Sequence, residues 1–212
     1  WAIPSQELLV IMIRSLIRLA EKGVLPDFLI RFGIRKLSKV RLDRAKYSTK
    51  EEVAKRHQDW VSSLKKSPIA LVPEKANEQH YEVPPLFFKY CLGPNLKYSS
   101  GYWPDHISTL EESELAMLEL SCERAKIEDG NTILELGCGW GSLTCFMAKK
   151  YPNSQITAVS NSIDQRKYIL ERCTKNNIKN VKVITADMND FEIQDKFDNV
   201  ISIGMFEHMR NY

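Results

Sequence analysis

Apolar residues recur at three- and four-residue steps at Leu9, Ile13, Leu16, Ile17 and Ala20, a stripe that predicts an amphipathic helix. Gly23 and Pro26 interrupt it, and a second periodic stretch runs through Phe28, Ile30, Phe32, Ile34 and Leu37. Ser48 stands three residues before Glu51, the spacing of a capping box, and opens a third helix toward Trp60 and Leu64. The pattern then breaks. Over residues 67–108, Pro68, Pro73, Pro84, Pro85, Pro94 and Pro104 scatter among aromatic residues, an ordered-loop composition with one short helix near Leu86–Leu92.

From Thr109 the alternation becomes regular. Thr109 and Glu112 make a second capping box, and Leu115, Leu118, Cys122 and Ala125 form the expected apolar face of the helix that follows. Asp129-Gly130 is a turn, Thr132–Leu136 reads as a buried strand, and a helix through Leu143, Phe146 and Met147 stops at Pro152. Gln155–Val159, Val181–Thr185 and Asn199–Ile203 are the next three strands, with Ser162 and Gln165 capping the helix after the second. Strands about 20 residues apart with helices between them imply parallel βαβ units. The expected fold is therefore α/β and Rossmann-like, doubly wound, with an N-terminal helical region. The expected divisions are residues 1–77, 78–108 and 109–212.

Composition narrows the class. With 43% hydrophobic and 27% charged residues over 212 positions, the chain has enough apolar content for a packed core and is not intrinsically disordered. The longest apolar run, Leu8–Ile13, is far too short to cross a bilayer, and Arg14 and Arg18 break any signal-peptide pattern. Five scattered cysteines without a CxxC pair argue against a metal site or a disulfide framework and for a reducing, cytoplasmic compartment. Trp1 in place of Met leads to the expectation that the natural start precedes it. Residues 1–66 carry 15 Lys/Arg against 7 Asp/Glu, leaving the rest of the chain acidic. A basic segment attracts anionic surfaces, but its aromatics are not interleaved as a nucleic-acid platform requires, so no nucleic-acid partner is expected. A solvated helix face is the simpler reading.

The candidate chemistry starts at Gly137-x-Gly139-x-Gly141, directly after the first strand. A dinucleotide fingerprint would need glycine at 142, where Ser142 stands. The GxGxG form preceded by Glu135 resembles motif I of class I S-adenosylmethionine (SAM) methyltransferases. Cys138 within the loop is a small filler. At the end of the second strand, where an acidic residue usually meets ribose hydroxyls, Ser160, Asn161 and Gln165 offer neutral groups instead. Asp187, with Met188 beside it, ends the third strand at the place from which an acid accepts from the adenine amino group. Asp187 can alternatively cap the turn Met188-Asn189-Asp190.

Three segments carry a wider resemblance: Ile133-Leu-Glu-Leu-Gly-Cys-Gly-Trp-Gly-Ser-Leu143, Val159-Ser-Asn-Ser162 and Met205-Phe-Glu-His-Met209-Arg-Asn-Tyr212. They are similar to the group that holds cyclopropane-fatty-acyl-phospholipid synthases and coclaurine-type N-methyltransferases. Tyr81–Phe87 and Leu96-Lys-Tyr-Ser-Ser-Gly-Tyr-Trp103 resemble the segment that closes over SAM in both branches, which implies contacts from Tyr98 and Ser99. Leu110–Ile127 and Tyr47-Ser-Thr-Lys-Glu-Glu52 resemble the N-methyltransferase branch more closely. The chain departs from the pattern at Ser100, where the lipid enzymes and usually the amine enzymes too carry Cys, and at Gly204, where the alkaloid enzymes carry Glu. Because the family continues beyond the Glu207–His208 motif, the class I methyltransferase sheet is expected to be incomplete at the C-terminus. An uncovered fourth strand then makes a homodimer an expected partner state.

The resemblance implies SAM as methyl donor and S-adenosylhomocysteine (SAH) as product. It implies a small-molecule amine as substrate, with methylene transfer to an unsaturated lipid as the alternative. A non-catalytic SAM- or lipid-binding module is a third reading. Peripheral membrane contact belongs to the lipid alternative. Glu207 and His208, just past the fourth strand, are the expected catalytic pair. A carboxylate there attracts a protonated amine, and an imidazole, a group that ordinarily titrates near pH 6.5, takes its proton near neutrality. His57, His80 and His106 have no comparable setting.

Overall fold

A computed structural model describes residues 6–46, 49–71 and 85–211. These residues fall into two compact units, Trp1–Trp60 and Val61–Tyr212, with the division inside a helix. The boundary expected at residue 77 lies outside the described residues. The first unit holds helices α1 (Gln6–Glu21), α2 (Asp27–Ala45) and the start of α3 (Lys50–Lys65). Pro26, with φ −59° and ψ 142°, precedes α2 and sets its start. Ser48 lies outside the described residues. Thr49 Oγ1 accepts from the Glu52 amide at 3.2 Å, so the cap of α3 is one residue later than the sequence pattern suggests.

The helical periodicity of the first unit did not translate into burial. Leu16, Ile17, Phe28, Phe32, Ile34 and Leu37 are all exposed. No helix among the described residues is long and apolar enough to cross a membrane.

The second unit continues with α4 (Pro85–Cys91) and α5 (Leu110–Arg124). It then alternates β1 (Thr132–Leu136), α6 (Ser142–Lys150), β2 (Gln155–Ser160), α7 (Ile163–Lys175), β3 (Val181–Thr185) and β4 (Asn199–Ser202). The four strands form one parallel sheet in the order β3-β2-β1-β4. Consecutive residues Ile133, Leu134 and Glu135 are buried along β1, and Ala158, Val159 and Ser160 along β2. Successive side chains point to opposite faces, so both faces are covered at these central strands. At the edge, β4 buries Ile201 but leaves Val200 62% exposed.

The core gathers Leu118 and Cys122 of α5 with Ile133, Leu143, Met147, Ile156 and Ile201. A second cluster joins Cys138, Cys145, Ala158, Ile169, Cys173 and Val183. The expected face of α5 holds only in part. Leu118 and Cys122 are buried, but Leu115 is 37% exposed, and the helix buries Ser113, Glu114 and Ser121 instead. The polar side of α5 is covered because the loop over residues 93–102 packs on it: Tyr102 N donates to Ser113 O at 2.9 Å, and a Cβ at Gly101 would collide with Ser113 Oγ.

Local signals end the elements. Thr109 and Glu112 complete the capping box of α5. At the far end of α6, Asn180 Nδ2 lies 3.2, 3.2 and 3.0 Å from Ala148 O, Tyr151 O and Ser154 O, and its two N–H groups are shared among these carbonyls, of which Ala148 O is one the helix leaves open. Replacing Leu118, with no exposed surface, by Ala should cost about 2–5 kcal/mol, whereas Thr109→Ala should cost about 1 kcal/mol. Urea unfolding of the two variants checks the ranking. Equal losses would mean that the α5 face is not part of the cooperative core.

Candidate active site

In a sheet of order β3-β2-β1-β4 the chain reverses direction across β1, and the crevice lies at the carboxyl ends of β1 and β4. The glycine loop follows β1 into this crevice. Gly137 N and Cys138 N both donate to Val159 O at 3.0 Å, fastening the loop to the end of β2. Each glycine of the triplet has positive φ, but for different surroundings. A Cβ at Gly137 would stand 2.9 Å from Met205 Cβ, and one at Gly141 would stand 2.6 Å from Ile169 Cγ1. Nothing lies within 4 Å of a Cβ at Gly139, which faces open space. Thus Gly137 admits the chain after β4, Gly141 admits α7, and Gly139 leaves room for a ligand.

A pocket of about 310 Å³ opens there. Its wall joins Lys97, Tyr98 and Ser99 with Glu135, Gly137, Gly139, Trp140 and Ser142, and with Gly204, Glu207 and His208. The expected residues Tyr98, Ser99, Glu135, Gly137, Gly139, Glu207 and His208 are therefore brought together. Gly141 sits behind the wall as the left-handed residue that starts α6. Beyond β4, Phe206–His208 forms a 3₁₀ turn. Met209 bridges Ala70, and Arg210 N donates to Ile69 O at 2.7 Å, so residues 69–70 brace this turn. A Cβ at Gly204 would lie 3.8 Å from Glu207 Oε1 and 3.9 Å from Ser99 Cβ, so this glycine separates the covering segment from the carboxylate.

The remaining expected residues lie at the ends of β2 and β3 and do not line this pocket. Ser160 and Gln165 are buried, and Ser160 Oγ donates to Gln165 Oε1 at 2.5 Å. Ser162 Oγ accepts from Gln165 N at 3.3 Å, the expected cap of α7. Asn161 is exposed. Asp187 Oδ1 accepts from Asn189 N at 2.8 Å, the turn-capping geometry that stood as its alternative, and Met188 is half-buried in that turn. Asn189 in turn clasps Ala70 through two hydrogen bonds, of 2.9 and 3.0 Å.

Aromatic packing carries the covering segment. The buried Phe88 ring contacts Tyr98 at 5.5 Å and Trp140 at 5.3 Å between centroids, and Trp140 meets Tyr168 edge-on at 5.4 Å. Trp140 and Ser142 line the pocket, and their Nε1 and Oγ atoms are buried with no hydrogen-bond partner among the described residues. Buried donors without partners are uncommon in proteins, and here they fit a polar ligand.

Sequence reading missed Lys97, Glu114, Trp140 and Ser142. Glu114 is 1% exposed and receives backbone N–H groups from Gly93, Asn95 and Lys97 at 3.0, 2.9 and 3.0 Å. A charged residue one helical turn before Leu118 on the inward side of α5 was the signal that could have found it.

Glu135 is buried and accepts from Thr144 Oγ1 at 2.6 Å. Burial outweighs that hydrogen bond and pushes its carboxyl from the ordinary value near 4.5 up to about 8.

The parallel sheet, the glycine loop at its reversal and the acid–histidine turn beyond β4 together define a class I methyltransferase fold. The profile of the family described as mycolic acid cyclopropane synthetase matches residues 72–212, and the chain belongs to that family. It is 42% identical over 201 residues, 95% of its length, to an (S)-coclaurine N-methyltransferase of Thalictrum flavum subsp. glaucum, of which it covers 56%. It is 36% identical over 137 residues to a cyclopropane-fatty-acyl-phospholipid synthase of Escherichia coli K12; the match spans 64% of this chain and 34% of that protein. The crystal structure of a coclaurine N-methyltransferase bound to N-methylheliamine and SAH matches with TM-score 0.86 and 41% identity. That match covers 95% of this chain and 58% of the other. The mycolic acid cyclopropane synthase CmaA1, complexed with SAH and CTAB, matches with TM-score 0.55 and 28% identity over 61% of this chain and 45% of that one. The chain therefore spans somewhat more than half the length of its N-methyltransferase relatives.

The raised Glu135 carboxyl makes a pH prediction. Between about pH 4.5 and 8 the folded protein holds a proton at Glu135 that the unfolded chain has released, so stability should fall as pH rises through this window. Each unit of displacement is worth about 1.4 kcal/mol, so the loss should reach a few kcal/mol, order of magnitude. Denaturant titrations at pH 5 and pH 8 should show Glu135→Gln losing less stability than wild type. Parallel pH profiles would mean that Glu135 is solvated in the folded protein.

Proposed function

We propose that the protein is a SAM-dependent methyltransferase that methylates the nitrogen of a small, partly apolar amine. One observation carries this reading: a single pocket joins the glycine loop after β1 to Glu207 and His208 after β4. SAM supplies an electrophilic methyl group on a sulfonium. The open side of Gly139, the unpartnered Trp140 Nε1 and Ser142 Oγ, and the buried Glu135 fit such a ligand. Tyr98 and Ser99 cover it. In this reading Ser160, Asn161 and Gln165 serve the ribose, and Asp187 with Met188 serves the adenine. The similarity to (S)-coclaurine and pavine N-methyltransferases supports an amine as acceptor.

Glu207 holds the cationic amine by a charge-assisted hydrogen bond, and His208 takes a proton from it, freeing the nitrogen lone pair that would displace SAH as the methyl–sulfur bond breaks. Positioning accounts for the rest of the rate, because the acceptor needs only to be held in line. A lipid acceptor is the second reading, and Gly204 favours it: glycine leaves the space beside Glu207 open where the amine enzymes of this group carry a side chain. The five free cysteines support a reducing, cytoplasmic setting.

Mass spectrometry of the full-length protein's products separates the readings. A methylated amine is expected, and a cyclopropane or methyl-branched acyl chain would replace the amine assignment by the lipid one. General-base assistance is typically worth 10²–10⁴ in rate, so His208→Ala should lower kcat by about that factor and leave SAM affinity near wild type. Full activity in the variant would remove His208 from the chemistry.

A further inference from the structure

Lys97 is a buried cation in the pocket wall. It is 6% exposed, and its Nζ donates to Ser99 Oγ at 2.8 Å. An ammonium has three donors, and this one has no ion pair among the described residues. Glu114, the nearest candidate on α5, already uses both carboxylate oxygens on three backbone N–H groups. Burying a charge without a contacting counter-charge is costly, so such a group is kept for a partner that arrives.

The local backbone holds Lys97 in place at some cost. Leu96 and Ser100, on either side of Lys97-Tyr98-Ser99, have φ of 54° and 86°, values that side-chain-bearing residues seldom adopt. Such strain persists only where surrounding contacts over-determine it, and here the three N–H bonds to Glu114 and the packing of Phe88 on Tyr98 do so. The result is a rigid donor pair, the Lys97 ammonium and the Ser99 hydroxyl, facing the same pocket as Glu135 and Gly139.

We propose that Lys97 is a cofactor-binding residue that receives the α-carboxylate of the methionine portion of SAM, with Ser99 as its companion donor. The inference rests on the SAM reading above and adds a specific ion pair to it. The amino-acid moiety carries a carboxylate, and Lys97 is the buried ammonium that the pocket wall presents to it. Burial lowers the pKa of the Lys97 ammonium from its ordinary 10.5, while the charges of Glu135 and Glu114 pull it back up. An arriving carboxylate adds to that upward pull, and the bound state gains what the free pocket lacks.

A binding cycle tests this on the full-length protein. Titration calorimetry should compare SAH with its decarboxylated analogue, which keeps the adenosine and the ammonium, on wild type and on Lys97→Met. Removing the carboxylate should weaken binding to wild type about 10- to 100-fold, the range for a hydrogen bond to a charged group. Lys97→Met should weaken SAH by a similar factor and leave the decarboxylated analogue within about twofold, so that the two changes are not additive. Equal losses for both ligands in the variant would make Lys97 a structural residue and overturn the proposal. So would wild-type binding that ignores the carboxylate, a comparison that needs no variant. Lys97→Gln serves as the second variant if Met does not fold there. Failure of wild type to bind either ligand would instead overturn the SAM reading, and this proposal with it.

Discussion

The carboxylate of Glu114 is the contact on which the pocket depends. It is almost fully buried on α5, and both of its oxygens are engaged by backbone N–H groups of residues 93, 95 and 97. A buried carboxylate is tolerated only when hydrogen-bonded in this way, and a backbone segment is fixed only when its donors have partners. Each therefore needs the other. Gly93 is required by the same contact, because a Cβ there would stand 2.5 Å from Glu114 Oε2. Through this buckle the irregular segment that ends in Lys97, Tyr98 and Ser99 becomes a fixed wall of a pocket whose floor belongs to the Rossmann-like sheet.

The wall opposite is built from loops that follow strands. Gly137 lets Met205 approach, and that approach brings Glu207 and His208 beside the glycine loop. The antiparallel bridge from Ala70 to Met209 and the double clasp of Asn189 on Ala70 tie residues 69–70 to the ends of β3 and β4. Four separate stretches of chain thus converge, and rigid elements set the position of each. Such convergence suits a reaction that asks for alignment more than for covalent help.

The same pocket holds much of the molecule's unfavourable chemistry. Glu135 and Lys97 are ionisable and buried, Trp140 Nε1 and Ser142 Oγ lack partners among the described residues, and Leu96 and Ser100 are strained. Each feature weakens the fold, and their gathering in one pocket marks a place shaped for something other than stability. The hydrophobic clusters beneath, centred on Leu118, Ile133 and Met147 and on Ala158 and Ile169, supply the stability that tolerates them.

Periodicity along the chain determined the sheet almost residue for residue. Thr132–Leu136 and Val181–Thr185 are strands with the expected bounds, and Gln155–Val159 gained only Ser160. Strands buried on both faces read as continuous apolar runs, and glycine with positive φ marks the loop that follows, so both are local properties of sequence. Glu135, Gly139, Glu207 and His208 were named through the resemblance of their motifs, and the structure brings them to one pocket. Tertiary structure alone decided the rest. It turned Ser160 and Gln165 toward each other, because the cap of α7 and the end of β2 share one buried spot. It left Leu16 and Ile17 of α1 and Phe28, Phe32, Ile34 and Leu37 of α2 exposed, since periodicity defines a face but not what covers it. It gave Glu114 and Lys97 their roles, because a polar residue's worth in the interior depends on partners 17 to 21 positions away in sequence, which no local pattern specifies.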